Sequence, residues 1–173
     1  MLELVGDSAK KEEMLFSLVT LLREGTLNFR WRAAETLGEK GDLRAVGPLI
    51  EALRDPYVDV SWIAAKSLGK LGDPEAVPHL IELLKSEDKW NRFGAVEGLG
   101  GIKDQKAVKP LAEVLKDDPN RKVREKAAWA LGRIGGEAAR KALDTQKDDD
   151  NEQVRKAVLD ALLTIEQEES SDP

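Results

Sequence analysis

The apolar positions of this sequence repeat with a period of about 31 residues. The pair Leu-Gly recurs at positions 37, 68, 99 and 131, at spacings of 31, 31 and 32 residues. A second column of leucines lies at positions 18, 49, 80, 111 and 143. Self-similarity at a fixed period of this length is the signature of a solenoid built from repeated supersecondary units.

Each repeat contains two segments with the apolar periodicity of a helix. The first, helix A, has related sequences at 45–53, 76–84 and 107–115, and the second, helix B, at 32–38, 63–69 and 126–132. Acidic turns lie between A and B, where a carboxylate can cap the following helix. Pro48, Pro78 and Pro110 fall a few residues into helix A, so we expect that helix to begin late or to kink there.

The repeat predicts an all-α solenoid of about five helical hairpins. They span about 11–41, 42–72, 73–103, 104–135 and 136–166, within a single domain over residues 1–166 and before a disordered tail at 167–173. One hairpin cannot bury its apolar side alone, so the hairpins must stack. Three apolar residues lie at the N-terminus, Leu2, Leu4 and Val5. We expect them either to shield the open first hairpin or to form a dimer contact. We expect a monomer or a weak dimer.

The fourth repeat carries a resemblance to a known family, through Val123-Arg124, Ala127-Ala128, Leu131-Gly132 and Ile134-Gly135. This run resembles the HEAT-like repeat named after the phycobilisome lyases, and it is similar to small archaeal HEAT-like repeat proteins and artificial alpha-helical repeat scaffolds. The resemblance implies a right-handed, armadillo-like superhelix with helix B on its concave surface. Ser61 replaces an arginine that the other hairpins keep. That arginine pairs with acids of neighbouring turns in the family, so we expect hairpin 2 to be slightly looser.

The face of helix B opposite its buried leucine carries the large aromatic side chains. On a helical wheel, stepped by about 100° per residue, all four tryptophans fall on this face. Three aromatic residues share one register in successive hairpins, namely Trp31, Trp62 and Phe93. Their apolar neighbours on this face are Trp90, Trp129 and Ile63. Because exposed apolar patches usually mark recognition sites, we interpret the stripe as a binding surface, with wedging between adjacent B helices as the alternative.

Basic side chains outnumber acidic ones on this face of hairpins 2 to 4. The basic residues are Lys66, Lys70, Lys89, Arg121, Lys122, Lys126 and Arg133, and the acidic ones are Asp59, Glu97 and Glu125. Seven minus three gives a local charge of +4 on a chain whose formal net charge is −6. Aromatic residues flanked by cations suit an acidic, partly apolar protein or peptide partner. The cations predicted to contact it are Lys66, Lys122, Lys126 and Arg133.

The sequence lacks the residues that common catalytic and metal sites need. It has no cysteine and one histidine, His79, which cannot build the usual zinc sites. The same shortage argues against the di-iron deoxyhypusine hydroxylases, HEAT-like enzymes that need several His-Glu pairs. We therefore predict no catalytic residue, no metal and no cofactor. The absence of cysteine and of a long apolar segment favours a cytoplasmic protein without a membrane span.

These observations predict a non-enzymatic scaffold that grips a helix or an extended segment of a partner protein in its concave groove. Two alternatives stay open, because a solenoid fold does not fix function. The resemblance implies a subunit of a bilin lyase or isomerase, although those enzymes act as pairs of longer repeat chains. HEAT-like DNA glycosylases use a basic concave face with aromatic residues, but the net charge of −6 argues against a nucleic-acid partner here.

Overall fold

The computed structural model describes residues 2–171, with side chains from residue 9 to residue 170. Over this range the backbone forms ten α-helices and no strand. The A helices are α1 (Leu2–Glu24), α3 (Val46–Ala52), α5 (Val77–Leu83), α7 (Val108–Asp117) and α9 (Gly136–Asp144). The B helices are α2 (Leu27–Lys40), α4 (Val58–Leu71), α6 (Lys89–Ile102), α8 (Arg121–Ile134) and α10 (Glu152–Ser171). The predicted all-helical solenoid of five hairpins is confirmed.

The B helices form a continuous row in which each helix packs against the next. Successive B helices contact each other more extensively than successive A helices do. The exposed side of this row is the B-helix face. The two leucine columns fill the space between the rows and are fully buried at Leu37, Leu49, Leu68, Leu80, Leu99, Leu111, Leu131 and Leu143.

The A helices of hairpins 2 to 4 begin late, as the proline positions predict. A 3₁₀ turn precedes each of them, at Leu43–Ala45, Pro74–Ala76 and Gln105–Ala107. An aspartate caps each turn, and the Asp42 carboxylate, for example, accepts a hydrogen bond of 3.0 Å from the backbone N–H of Arg44. Proline then falls in the first turn of the α-helix, where no intrahelical partner for its missing N–H is needed.

Both ends of the described chain are more helical than the sequence indicates. The helix α1 begins at Leu2, ahead of the predicted start near residue 11, and α10 continues to Ser171. The sequence predicts a disordered tail at 167–173, whereas the structure describes residues 167–171 as the end of α10. Ion pairs hold this extension, since Arg140 contacts the carboxylates of Glu166 (3.4 Å) and Glu169 (2.6 Å). Outside the described part lie residues 172–173 and the side chains of Leu2, Leu4 and Val5.

An arginine near the start of helix B joins one hairpin to the next at three of the four junctions in the described chain. The pairs are Arg30–Asp55, Arg92–Asp118 and Arg124–Asp149. At the junction of hairpins 3 and 4, Arg92 donates from Nε and Nη2 to the two carboxylate oxygens of Asp118, at 2.7 and 3.1 Å. Its Nη1 also donates to the backbone carbonyl of Ser86 at 2.9 Å. A bidentate, partly buried pair of this kind fixes the angle between hairpins.

The junction of hairpins 2 and 3 has a neutral hydrogen-bonded triad instead. Ser61 stands in the arginine position and Ser86 in the aspartate position, and Asn91 of α6 lies between them. The Ser61 hydroxyl donates to Oδ1 of Asn91 at 2.5 Å, and Nδ2 of Asn91 donates to the Ser86 hydroxyl at 3.3 Å. Because Ser61 is fully buried, this triad supplies the partner that its hydroxyl requires.

The prediction that hairpin 2 packs more loosely is wrong. The helices α4 and α6 make the most extensive contact of any helix pair in the described chain. Their backbones approach closely through glycines, because a Cβ built on Gly69 would lie 2.8 Å from Cα of Gly98. A Cβ on Gly98 would lie 2.6 Å from the carbonyl oxygen of Ala65. Small residues therefore compensate for the missing arginine by allowing direct contact between the helices.

Candidate protein-binding surface

Three aromatic side chains form a connected cluster on the B-helix face of hairpins 2 and 3. The ring of Trp62 in α4 lies 5.8 Å from that of Trp90 in α6, measured between centroids, with a tilt of 38° between the planes. Trp90 meets Phe93 edge-on, at 6.1 Å. Trp90 is 41% exposed, whereas Trp62 and Phe93 are half-buried. We call these three residues the aromatic cluster; rings in this geometry attract one another beyond the effect of burial.

A lysine extends the aromatic cluster to the next hairpin. The Nζ atom of Lys126 in α8 lies 5.2 Å from the ring centroid of Phe93 and 4.3 Å from that of Trp129. The Cζ atom of Arg133 also lies over the ring of Trp129, 5.4 Å from its centroid. Cations at these distances are attracted to the negative face of an aromatic ring. The aromatic and basic residues predicted from the sequence are thus interleaved along the surface.

Glycines of α6 make room for the tryptophans of both neighbouring B helices. A Cβ on Gly94 would lie 2.6 Å from Cδ1 of Trp62, and one on Gly100 would lie 2.7 Å from Cζ3 of Trp129. Both tryptophans therefore pack against an adjacent helix on one side, as the wedging alternative predicts. Their half-burial leaves the other side of each ring toward the B-helix face. Each of these rings is therefore partly packed against a neighbouring helix and partly exposed.

A small cleft opens beside the aromatic cluster, at the start of α6 and α8. Its walls include Trp90, Phe93 and Val123, with Lys89 and Lys122 at the rim, and its volume is about 160 Å³. Nζ of Lys89 lies 5.4 Å from the ring centroid of Trp90. An apolar recess of this size with cations at its edge can hold a single side chain of a partner.

The cations of this surface divide into paired and unpaired groups. Lys126 contacts Glu97 at 3.8 Å, and Arg121 contacts Glu125 at 2.7 Å. No ion pair with another described residue is formed by Lys66, Lys89, Lys122 or Arg133. These four cations are therefore free of ion pairs within the described structure and available to a partner's carboxylates.

One polar atom of the aromatic cluster lacks a hydrogen-bond partner in the described structure. The indole Nε1 of Trp62 is buried and has no hydrogen-bond partner among the described residues. A buried donor without a partner costs free energy, so packing and not hydrogen bonding holds this indole in place.

The remaining predicted residues lie apart from the aromatic cluster. Trp31 is half-buried and packs against the core of hairpins 1 and 2, and Ile63 does the same in α4. No ring contact joins Trp31 to Trp62 in the described structure, although the two share a register. Lys66 is half-buried on α4, without a contact to the aromatic rings. The structure thus concentrates the aromatic contacts on hairpins 2 to 4.

Sequence reasoning missed the glycines that position the tryptophans. Gly94 stands where the other B helices carry Arg32, Ile63 and Lys126, so the aligned repeat already marks it as unusual. It also missed Asn120, whose side chain caps α8 by accepting from the backbone N–H of Lys122 at 3.0 Å. This cap fixes the start of α8 and hence the lysine at the rim of the cleft.

The described residues contain neither a metal-binding group of side chains nor a membrane-spanning helix. Within this part of the chain, no group of three or more His, Cys, Asp or Glu side chains is placed to hold a metal ion. No helix found there is both long enough and apolar enough to cross a bilayer.

Comparison of the sequence with known families assigns the fold independently. The profile of HEAT repeats matches residues 17–93 and 79–163. The chain belongs to the HEAT repeat family. No curated protein sequence matches this HEAT repeat protein significantly.

Solved structures with the same fold include a natural enzyme subunit and designed proteins. The complex of CpcE and CpcF of phycocyanin lyase from Nostoc sp. PCC7120 contains a chain with 28% identity and a TM-score of 0.73. The alignment covers 88% of this HEAT repeat protein but only 65% of that chain, which is less than two thirds of its length. An engineered protein matches with 23% identity and a TM-score of 0.64 over 87% of this chain and 78% of its own.

A designed armadillo repeat protein in complex with the peptide (KR)4 is also similar in structure. It shows 21% identity and a TM-score of 0.64, over 86% of this chain and 80% of that one. At this level of identity the similarity establishes the shared solenoid fold alone.

Proposed function

We propose that this HEAT repeat protein is a non-enzymatic scaffold that binds a segment of a partner protein on its B-helix face. The observation that carries the proposal is the aromatic cluster, in which Trp90 is 41% exposed beside a cleft lined by apolar and basic side chains. Interfaces concentrate their binding energy in tryptophan, tyrosine and arginine residues near an apolar recess. The cluster offers this combination on the B-helix face of the solenoid.

Charge defines the kind of segment that fits. The unpaired cations Lys89 and Lys122 stand at the rim of the cleft, and Arg133 lies farther along α8. A partner that places an apolar side chain in the cleft and carboxylates beside it would contact rings and cations together. The partner is therefore a peptide segment with acidic residues next to an apolar anchor.

The designed armadillo repeat protein in complex with (KR)4 is an example of a solenoid of stacked helices that binds a peptide. Its peptide is basic, and the surface proposed here is positive. The proposed ligand therefore has the opposite charge to (KR)4, and in this chain the side chains of the B helices determine which peptide binds.

Selection from a random peptide library tests the proposal. Wild type is expected to enrich peptides that combine acidic and large apolar residues. Trp90→Ala removes a ring that is already 41% exposed, so the fold should stay intact while binding of the selected peptides falls by roughly tenfold or more. Phe16→Ala, at an aromatic side chain that is 75% exposed on α1, is the matched control and should bind like wild type.

Two outcomes would contradict the proposal. Enrichment of no peptide by the wild type would remove the case for a peptide-binding surface. Equal binding by wild type and Trp90→Ala would show that the aromatic cluster serves packing alone. Circular dichroism and melting of both variants check that any loss arises from the surface.

A second function, a subunit of a bilin lyase, is favoured by one observation. The phycocyanin lyase chain shares 28% identity with this protein over 88% of its length. Because the solved lyase is a complex of CpcE and CpcF, we expect such an activity to require a second repeat chain. Mixing the protein and such a chain with a bilin and an acceptor protein should then change the bilin absorbance spectrum. An unchanged spectrum would reject this function.

A further inference from the structure

A second pocket, remote from the aromatic cluster, lies between α1 and the end of α2. Its volume is about 360 Å³, within the range of small-molecule sites. The apolar lining comes from three successive positions of one face of α1, Met14, Leu15 and Leu18, together with Leu37 of α2. Lys11 and Lys40 stand at its edge.

The pocket arises from a departure of hairpin 1 from the repeat. In hairpins 2 to 4 a 3₁₀ turn places an alanine, Ala45, Ala76 or Ala107, four residues before the buried leucine of helix A, and each alanine is fully buried. In hairpin 1 the same register holds Met14, which is 38% exposed and lies within the uninterrupted helix α1. The wall that the 3₁₀ turn forms elsewhere is absent, and apolar side chains line the resulting space.

The charges at this pocket favour an anion. Neither Lys11 nor Lys40 forms an ion pair with another described residue. The one acidic residue in the lining, Asp42, is engaged by Arg44, whose Nη2 lies 2.7 Å from Oδ2 of that carboxylate. The side-chain hydrogen bond from Arg44 is the largest cause that holds the pKa of Asp42 below its ordinary value, so this carboxylate is ionised at neutral pH and attracts Arg44. The two lysines are left to balance an incoming negative charge.

We infer that this pocket binds an anionic amphiphile, a molecule with an unbranched apolar chain and a carboxylate head. The chain lies against Met14, Leu15, Leu18 and Leu37, and the carboxylate lies between the two lysines. This site is separate from the peptide surface and does not depend on it.

Decanoate, its shorter homologue octanoate and the neutral 1-decanol are the probes. The sequence contains two methionines, so the Met14 methyl group gives a resolved NMR signal that reports on this pocket alone. The Met14 signal should shift saturably with decanoate below its micelle concentration. Removing two methylenes, as in octanoate, should weaken binding by about fifteenfold, because each buried methylene contributes about fourfold.

Neutralising the lysines separates the head-group contact from the apolar one. Lys11→Gln with Lys40→Gln should weaken decanoate binding by about tenfold and leave 1-decanol binding unchanged, since each surface charge contributes about threefold. Lys109→Gln, on the outer helix α7, is the matched control and should have no effect. A Met14 signal that does not move, or an equal response to decanoate and 1-decanol in all variants, would overturn the inference.

Discussion

Two neighbouring junctions satisfy their buried polar groups in different ways. The first joins hairpins 2 and 3, and the second joins hairpins 3 and 4. At the second, Arg92 and Asp118 form a bidentate ion pair, with side chains only 12% and 3% exposed. At the first, the neutral triad of Ser61, Asn91 and Ser86 takes the same place, and glycines bring α4 and α6 into direct contact. Both junctions satisfy their buried polar groups, but one relies on charge and the other on close packing.

This difference shows why the aromatic cluster lies where it does. The glycines that let α4 and α6 approach also create the space that Trp62 occupies, at Gly94. On the other side of α6, Gly100 receives Trp129. The glycines of α6 therefore receive a tryptophan from each neighbouring B helix, and the position of both rings follows from the packing.

Breaking the ion pair is expected to have the largest effect on stability. Asp118→Ala leaves the Arg92 guanidinium partly buried without its partner, at a cost of about 3 kcal/mol in the free energy of unfolding. Urea denaturation at neutral pH measures this. Glu82→Ala removes an exposed partner of Lys85 and should cost no more than about 0.5 kcal/mol. Equal losses in the two variants would show that the buried pair contributes nothing special.

Breaking the close packing is expected to have the next largest effect. Gly98→Ala places a Cβ 2.6 Å from the carbonyl oxygen of Ala65, so α4 and α6 must move apart, at a cost of about 2 kcal/mol. Gly47→Ala is the control, because nothing lies within 4 Å of its Cβ, and it should be neutral or slightly stabilising. Thermal unfolding compares the two. A Gly98→Ala variant as stable as wild type would contradict the close approach.

Disturbing the neutral triad is expected to cost less. Asn91→Val leaves the buried Ser61 hydroxyl with only the carbonyl of Val58 as partner, and the loss should be about 1 kcal/mol. Adding Ser61→Ala removes the hydroxyl as well and should recover part of this loss. A double-mutant cycle measures the coupling between the two positions, and strict additivity would mean that the hydrogen bond contributes nothing.

Acid should distinguish the two kinds of junction. Burial opposes ionisation of Asp149, but hydrogen bonds from Asn151 and Arg124 outweigh it and hold the pKa of this carboxyl below its ordinary value. A lowered pKa contributes stability above about pH 4, which is lost as the pH falls through the folded-state value. Hydrogen exchange at pH 6 and pH 3 should show α8 and α10 losing more protection than α4 and α6. Equal losses would contradict the distinction.

The sequence predicts the fold because the repeat is visible in one dimension. The leucine columns and the late start of helix A, at Pro78 for example, are read directly from spacing. The loosening expected at Ser61 is wrong because its compensation lies on another helix, at Asn91, Gly98 and Gly69. Aligning Ser86 with the aspartates of the other turns would have shown that the acidic partner of the arginine is replaced as well.

The aromatic surface is only partly predictable. The helical wheel places Trp31, Trp62 and Phe93 in one register, yet ring contacts join Trp62 to Trp90 and Trp90 to Phe93, and leave Trp31 apart. A wheel gives the direction of a side chain from one helix and contains nothing about the neighbouring helix. The space at Gly94 and the bridging position of Lys126 require the register between helices, which only the stacked structure supplies.

Tryptophan indole signals offer the most direct test of the binding surface. The chain has four tryptophans, so its ¹H–¹⁵N spectrum has four indole signals that can be assigned by substitution. On titration with a peptide selected by the wild type, the signals of Trp62, Trp90 and Trp129 should move while that of Trp31 stays in place. Movement of the Trp31 signal alone, or of none of the four during saturable binding, would contradict the account.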